Sequence, residues 1–309
     1  MELGKALQDN FVWVNLGSGS DRDYGLPVEL KKLITLVEVD AADKSKTTSI
    51  YFKRHSLQSG IAPQAGRRIF RQNRFVGCSS LSSPKEDLIR RYGLEEYYEV
   101  ERLIELDCVT LPSVLASFSI DRMDFLKTDL EGLDYEVLKS CEHMLADLLA
   151  IQCELRFEPF YEKEPYFHEV CAFLYSHHFE LIELRPEYWK PKTRHGCRHR
   201  DGRLVWADCI FLKDLESGWP EGRSDFSLAV AKQIIICSML GHHCYGEFLF
   251  ERYKSDLSTT WIPLLETLIE PRRPHWKSLL KATYLGKVLI KIKRAWSRRN
   301  FNFDHVVDR

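Results

Sequence analysis

The sequence lacks any apolar run long enough to cross a bilayer: the longest reach about a dozen residues, with polar interruptions, where a membrane-spanning helix needs about 20. It also lacks a CxxC pair. Its nine cysteines are an odd number and sit mostly in apolar runs such as Ile151-Gln152-Cys153 and Ile234-Ile235-Ile236-Cys237. That placement excludes a disulfide framework and fits reduced thiols behaving as small hydrophobes. The opening Met1-Glu2-Leu3-Gly4-Lys5 has no basic segment leading into an apolar one, so no secretory signal is expected. The reading is a cytoplasmic protein, or one peripheral to the inner face of the membrane. Nor is there an excess of one charge. The 44 Lys+Arg stand against 45 Asp+Glu, a net charge of −1, which excludes a uniformly basic nucleic-acid binder, and no nucleic-acid partner is expected. One more absence is local: between Arg272 and Arg299 ten Lys/Arg occur without a single acid, so a mildly acidic body carries a basic tail.

What is present is core material. Hydrophobic residues make up 44% and aromatics 12% of 309 residues, enough for one large domain or two smaller ones. The first two-thirds alternates strand-like and helix-like runs, the pattern of an α/β fold with a mostly parallel sheet. Strands are expected over 11–16, 33–40, 123–128, 148–155, 179–184 and 204–212, with helices starting at Pro27 and over 135–145 and 166–176. Residues 53–75, rich in Arg, Gln, Gly and Ser, read as a loop or irregular insertion. After Leu215 the pattern turns helical, with a run from Asp225 to Leu240 stopped by Gly241, and further helices over 247–253 and 261–269.

Chemistry is first suggested where Asn15-Leu16-Gly17-Ser18-Gly19 closes the first strand, because paired glycines let backbone approach a ligand closely. Glu38 lies 21 residues after Gly17 near the end of the next strand, where a carboxylate can accept both hydroxyls of a ribose. Asp40 points to the same side and is the rival. A dinucleotide fingerprint would place a third glycine where Arg22 stands. An NAD-dependent oxidoreductase is therefore disfavoured, and an adenosine cofactor without phosphate, such as S-adenosylmethionine, fits better.

The third element is Asp124-Phe125-Leu126-Lys127-Thr128-Asp129-Leu130-Glu131-Gly132, followed by Glu136-Val137-Leu138-Lys139. It sets carboxylates directly after a central strand, at the end where such sheets bind ligands. This element resembles the hallmark of the FkbM-type S-adenosylmethionine-dependent methyltransferases. Weaker agreement comes from Val37-Glu38-Val39-Asp40, from Gly77-Cys78-Ser79-Ser80-Leu81, and from Ala207-Asp208-Cys209-Ile210-Phe211-Leu212. The resemblance covers about 10–214. It implies a class I, Rossmann-like methyltransferase with a mostly parallel seven-stranded sheet flanked by helices, and transfer of a methyl group to a hydroxyl of a saccharide or natural product. Asp129 and Glu131 become the expected catalytic pair, serving cofactor positioning, acceptor binding or general base. Asn15, Gly17, Ser18, Gly19, Glu38, Asp40, Ser79 and Ser80 become the expected cofactor-binding residues. Asn15 stands where the family usually has an acid, so it would meet an ammonium through its carbonyl without a charge. That departure keeps open a non-catalytic cofactor-binding or scaffold module. Glu131 has a second reading as a cap for the helix that opens after Gly132.

His195-x-Cys197-x-His199 is flanked by Arg194, Arg198 and Arg200, whose charges oppose a cation, so it reads as a basic loop and no metal is expected. In the tail, Leu279, Ala282, Leu285, Leu289, Ile292 and Trp296 fall on one side of a helix, and Lys277, Lys281, Lys287, Lys291, Arg294 and Arg298 on the other. Such a helix suits either packing on the protein's own core with a solvated basic face, or docking of 276–299 on an anionic membrane surface. The expected organisation is a methyltransferase domain over 1–214 and a helical C-terminal extension over 215–309. If the tail docks, a chain shortened to end at Pro271 is expected to bind anionic liposomes more weakly than the full chain. Equal binding in a flotation assay would reject docking.

Overall fold

The apolar runs of the first two-thirds become strands. The computed structural model describes residues 3–7, 11–17, 28–41, 50–192, 202–219 and 225–269. Its strands are β1 (Phe11–Leu16), β2 (Ile34–Asp40), β3 (Lys53–Gln58), β4 (Gly60–Ile61), β5 (Gly66–Asn73), β6 (Val100–Val109), β7 (Phe125–Thr128), β8 (Ala150–Arg156), β9 (Phe179–Trp189) and β10 (Arg203–Lys213). Seven form one sheet in the order β3-β2-β1-β7-β8-β10-β9; the other three form a small sheet, β4-β6-β5. In the large sheet β3, β2, β1, β7 and β8 are parallel, and β10 runs antiparallel between β8 and β9. This is the expected α/β, mostly parallel seven-stranded architecture, with the sheet order and single reversed strand of a class I methyltransferase.

Nine helices are found among the described residues: α1 (Leu3–Leu7), α2 (Val28–Lys31), α3 (Glu86–Tyr92), α4 (Leu111–Ser117), α5 (Asp134–Ser140), α6 (Phe167–Ser176), α7 (Phe226–Leu240), α8 (His243–Tyr253) and α9 (Ile262–Ile269). Central parallel strands covered on both faces need apolar side chains at every position, and β1 is buried throughout. Alternate residues divide between two cores. Phe11, Trp13, Ile34 and Leu36 pack with α1, α2 and α7–α9, whereas Val12, Val14, Leu16, Val37 and Val39 pack with α4–α6.

The helices after Leu215 therefore share with α1 and α2 the cover for one face of the sheet. α7 is buried at every position from Ala229 to Leu240, which is why its sequence shows no polar stripe. It ends as expected at Gly241, in the left-handed conformation at φ 82°, with its N–H donating to the last turn. Two buried polar side chains tie α7 to the strands: Gln233 Nε2 donates to the Lys213 carbonyl of β10 at 2.7 Å, and Lys232 pairs with Asp124. The Lys232 ammonium donates to Asp124 Oδ1 at 2.7 Å, while Asp124 Oδ2 accepts the Val12 N–H at 2.8 Å. Both side chains are almost wholly buried.

The structure departs from the sequence reading at 53–75, which forms β3, β4 and β5 rather than a loop. β3 and β5 are edge strands whose side chains are largely exposed or half-buried, so they carry Lys, Arg and Gln and no apolar run. The helix expected over 135–145 stops at Ser140 and gives way to a 3-10 turn, Glu142–Met144. The helix expected over 247–253 begins four residues earlier, with His243 and Cys244 opening α8. All cysteines among the described residues are free thiols, and among the same residues no helix is long and apolar enough to cross a membrane.

Replacing Lys232 with Met strands a buried carboxylate, and the expected loss is about 3–5 kcal/mol of unfolding free energy, read from urea denaturation. A loss below about 1 kcal/mol would show that the pair does not hold α7 to the sheet.

Candidate active site

The chain leaves β1 toward β2 and β3 and returns to β7 on the other side of β1, so the order reverses between β1 and β7. Ligands bind such sheets at the carboxyl ends of the strands flanking the reversal. Here the two strand ends meet closely. Gly17, at φ 70°, donates its N–H to the Val39 carbonyl at 3.0 Å, and Asp129 donates its N–H to Leu16 at 3.1 Å. A Cβ on residue 17 would lie 2.1 Å from the Asp129 carbonyl oxygen, so only glycine permits the approach. A cavity of about 630 Å³ opens beside this contact, well inside the range of small-molecule sites. Gly17, Asp40, Asp129 and Glu131 line its sheet side, and Phe70, Gln72, Ile104 and Leu106 of the small sheet form the facing wall.

The floor is a buried charge cluster. Arg156, at the carboxyl end of β8, donates from Nη2 to Glu131 Oε2 at 2.7 Å, and the same nitrogen lies 2.5 Å from Glu154 Oε1. Its Nε lies 3.4 Å from Glu164 Oε1. Tyr161 donates its hydroxyl to Glu131 Oε2 at 2.8 Å, and a Cβ at Gly132 would be 2.7 Å from that ring, so the second glycine admits the tyrosine. Glu131 itself has φ 48°, a conformation costing about 1–3 kcal/mol outside glycine. Ser80 Oγ holds it there by donating to the Glu131 carbonyl at 2.6 Å. Burial pushes the Glu131 carboxyl up to about 7, Arg156 opposing and Asp129 adding to the rise. Burial likewise pushes Asp134 up to about 6. Asp134, not Glu131, tends the start of α5, accepting the Leu130 N–H at 3.3 Å.

The expected residues fall into three groups. Gly17, Asp40, Ser79, Ser80, Asp129 and Glu131 line the cavity. Ser79 also accepts the Asn73 N–H at 3.0 Å, and Asp129 lies 3.4 Å from the Lys127 ammonium. Asn15 and Glu38 stand behind the wall. They are register partners on β1 and β2, both buried, and Glu38 pairs with Arg54 at 2.5 Å. Asn15 Oδ1 and Glu38 Oε1 are buried without a hydrogen-bond partner among the described residues. Ser18 and Gly19, together with Arg22, the 195–199 loop and the basic segment 276–299, lie outside the described residues. Sequence reasoning missed Glu154, Arg156 and Tyr161. The signal for the first two was available: Cys153-Glu154-Leu155-Arg156 closes a parallel strand, as Asp129 does.

Residues 32–181 match the family model of the methyltransferase FkbM domain, and the chain carries a domain of that family. It is an S-adenosylmethionine-dependent methyltransferase. No curated protein matches the sequence. Among solved structures, two of Streptococcus pneumoniae Sp1610, provisionally assigned as a tRNA (m1A22) methyltransferase, are similar. One has 11% identity and TM-score 0.27 over 87% of this chain and 92% of that chain. The other, in complex with S-adenosyl-L-methionine, has 8% identity and TM-score 0.28 over 87% and 96%. At those scores the likeness carries no argument about the acceptor.

The residues fit the cofactor. Bare backbone at Gly17 and the Asp40 carboxylate at the β2 end face the cavity where an adenosine would be held, and Asp129 and Glu131 supply negative charge for a sulfonium.

Because Glu131 and Asp134 titrate higher when folded than their ordinary 4.5 and 3.8, the folded chain keeps protons that the unfolded chain releases. Their contribution to stability is therefore full at low pH and declines as pH rises from about 4 to 7. In urea denaturation across that window, Glu131→Gln is expected to flatten the decline. An unchanged slope would show that Glu131 titrates normally.

Proposed function

We propose that this chain methylates a hydroxyl oxygen of a saccharide or natural product. The observation that carries the reading is the Glu131 carboxyl, which lines the cavity and is pushed up to about 7 by burial. An alcohol attacks best if its proton is removed as the new bond forms, and a carboxylate poised near neutrality is suited to take it. S-adenosylmethionine, when bound, supplies the electrophilic methyl. Arg156 and Tyr161 hold Glu131 Oε2 in place, so the carboxylate is oriented before the acceptor arrives. The wall facing it combines aromatic surface (Phe70, Phe75, Trp206) with the amides of Gln58 and Gln72, a mixture suited to a hydroxylated ring. Among the described residues no Lys or Arg lines the cavity, which favours an uncharged acceptor over a phosphate-rich one.

Calorimetry with S-adenosylhomocysteine, followed by methyl transfer from labelled cofactor to a panel of glycosides, tests the reading. Glu131→Gln is expected to lower kcat by about a hundred- to ten-thousand-fold, the range for a lost general base, with little change in S-adenosylhomocysteine affinity. Absence of S-adenosylhomocysteine binding would overturn the assignment, and undiminished turnover in the variant would remove Glu131 as the base.

A further inference from the structure

Glu154 lines the same cavity, yet the reaction above gives it no task. Its surroundings do. Arg156 Nη2 serves two carboxylates, Glu131 at 2.7 Å and Glu154 at 2.5 Å, and Nε faces a third, Glu164, at 3.4 Å. One guanidinium thus stands among three carboxyl groups with little access to water. The neighbours leave more carboxyl groups than cations. Asp208 of β10 is the register partner of Glu154, and Asp129 and Asp134 lie toward Glu131, while the Lys127 ammonium stands 3.4 Å from Asp129 and Lys85 acts on Glu164. Tyr98, Tyr161 and Cys78, which also face the cluster, are acids that burial keeps neutral, and none brings positive charge.

The three carboxyl groups are not equally provided for. Glu131 has the Tyr161 hydroxyl as a second donor, and Glu164 Oε2 takes the N–H groups of Phe160 and Tyr161 at 2.6 and 2.9 Å. Among the described residues Glu154 has no donor besides Arg156. An uncompensated buried negative charge is relieved by a proton, and the proton settles on the group with fewest donors.

We propose that Glu154 is held protonated at neutral pH by sharing Arg156 with Glu131, and that it presents a neutral hydrogen-bond donor to the acceptor beside the carboxylate that takes the acceptor's proton. On this assignment, which rests on the methyl-transfer reading only for the acceptor, Glu131 receives the hydroxyl proton while Glu154 keeps its own and orients the acceptor through an oxygen lone pair. Glu154 is then a positioning residue whose protonation state, not merely its presence, matters.

The full chain, labelled with carbon-13 at the glutamate side-chain carboxyl, decides this by NMR without cofactor or acceptor. Expected at neutral pH is a protonated-type carboxyl resonance that correlates through bonds with the Glu154 backbone and is missing from Glu154→Gln. In Glu131→Gln, with one carboxylate fewer on Arg156, the Glu154 midpoint is expected to fall by about one pH unit or more. An ionised Glu154 at neutral pH, or a midpoint that ignores Glu131→Gln, overturns the proposal. The through-bond assignment makes the wild-type spectrum sufficient if Glu154→Gln does not fold. A protonated Glu154 in a chain that binds no S-adenosylhomocysteine would instead overturn the functional reading alone.

Discussion

A single buried guanidinium organises the reactive end of this molecule. Arg156 closes β8 and gathers carboxyl groups from three separate stretches of chain: Glu131 from the turn after β7, Glu154 from its own strand, and Glu164 from the loop before α6. Each partner would be costly to bury alone, and the cost of removing one falls on the others. The turn holding Glu131 is bent into a left-handed conformation it would not adopt unaided. The cluster and Ser80 keep it so, and the resulting carboxylate position is rigid rather than adaptable. Arg156 also lies between the rings of Tyr161 and Trp206, 5.8 and 5.7 Å from their centres, which fixes the plane of the guanidinium.

The sheet determines where that cluster can act. The reversal of strand order between β1 and β7 leaves a gap at their carboxyl ends, and the contact of Gly17 with the Asp129 backbone sets its width. One side of the cavity is thus made from strand ends with almost no freedom. The facing side is made from the small sheet, which enters the chain between β3 and α4 and is tied back by Ser59, whose hydroxyl donates to the Asp107 carbonyl at 2.7 Å.

The sequence made the strand ends legible and the cluster only half so. Apolar runs located the parallel strands β1, β2, β7 and β8 and the antiparallel β10, because strands inside a sheet covered on both faces must be apolar on both. Asp129 and Glu131 were visible because they follow such a run in a specific motif. Arg156 and Tyr161 were not, since nothing local to either residue announces that both will meet a carboxylate 25 or 30 residues away. The small sheet escaped for a different reason. β5 is an edge strand exposed on one side, and its Arg-rich sequence looks like loop. β6 did carry a signal, the alternation of Ile104, Leu106 and Cys108 with Glu105 and Asp107. Glu38 shows the opposite limit. Its position near the strand end suggested a ligand, and the fold pairs it with Arg54 behind the cavity wall, whereas Asp40, two residues on, reaches the wall.

The division of the cavity between two sheets has a consequence for how such an enzyme diversifies. The large sheet cannot change its strand ends without disturbing the contact between residues 17 and 129. The small sheet is pinned at its root and otherwise presents edge and surface, where insertions and side-chain exchange cost little. Selection can therefore rewrite the wall carrying Phe70, Gln72, Ile104 and Leu106 while the rest of the pocket stands still. On the proposed reaction, new acceptors can be acquired by drift in one module, and a graft of 60–109 between related chains would move acceptor preference while leaving the contact of residues 17 and 129 intact.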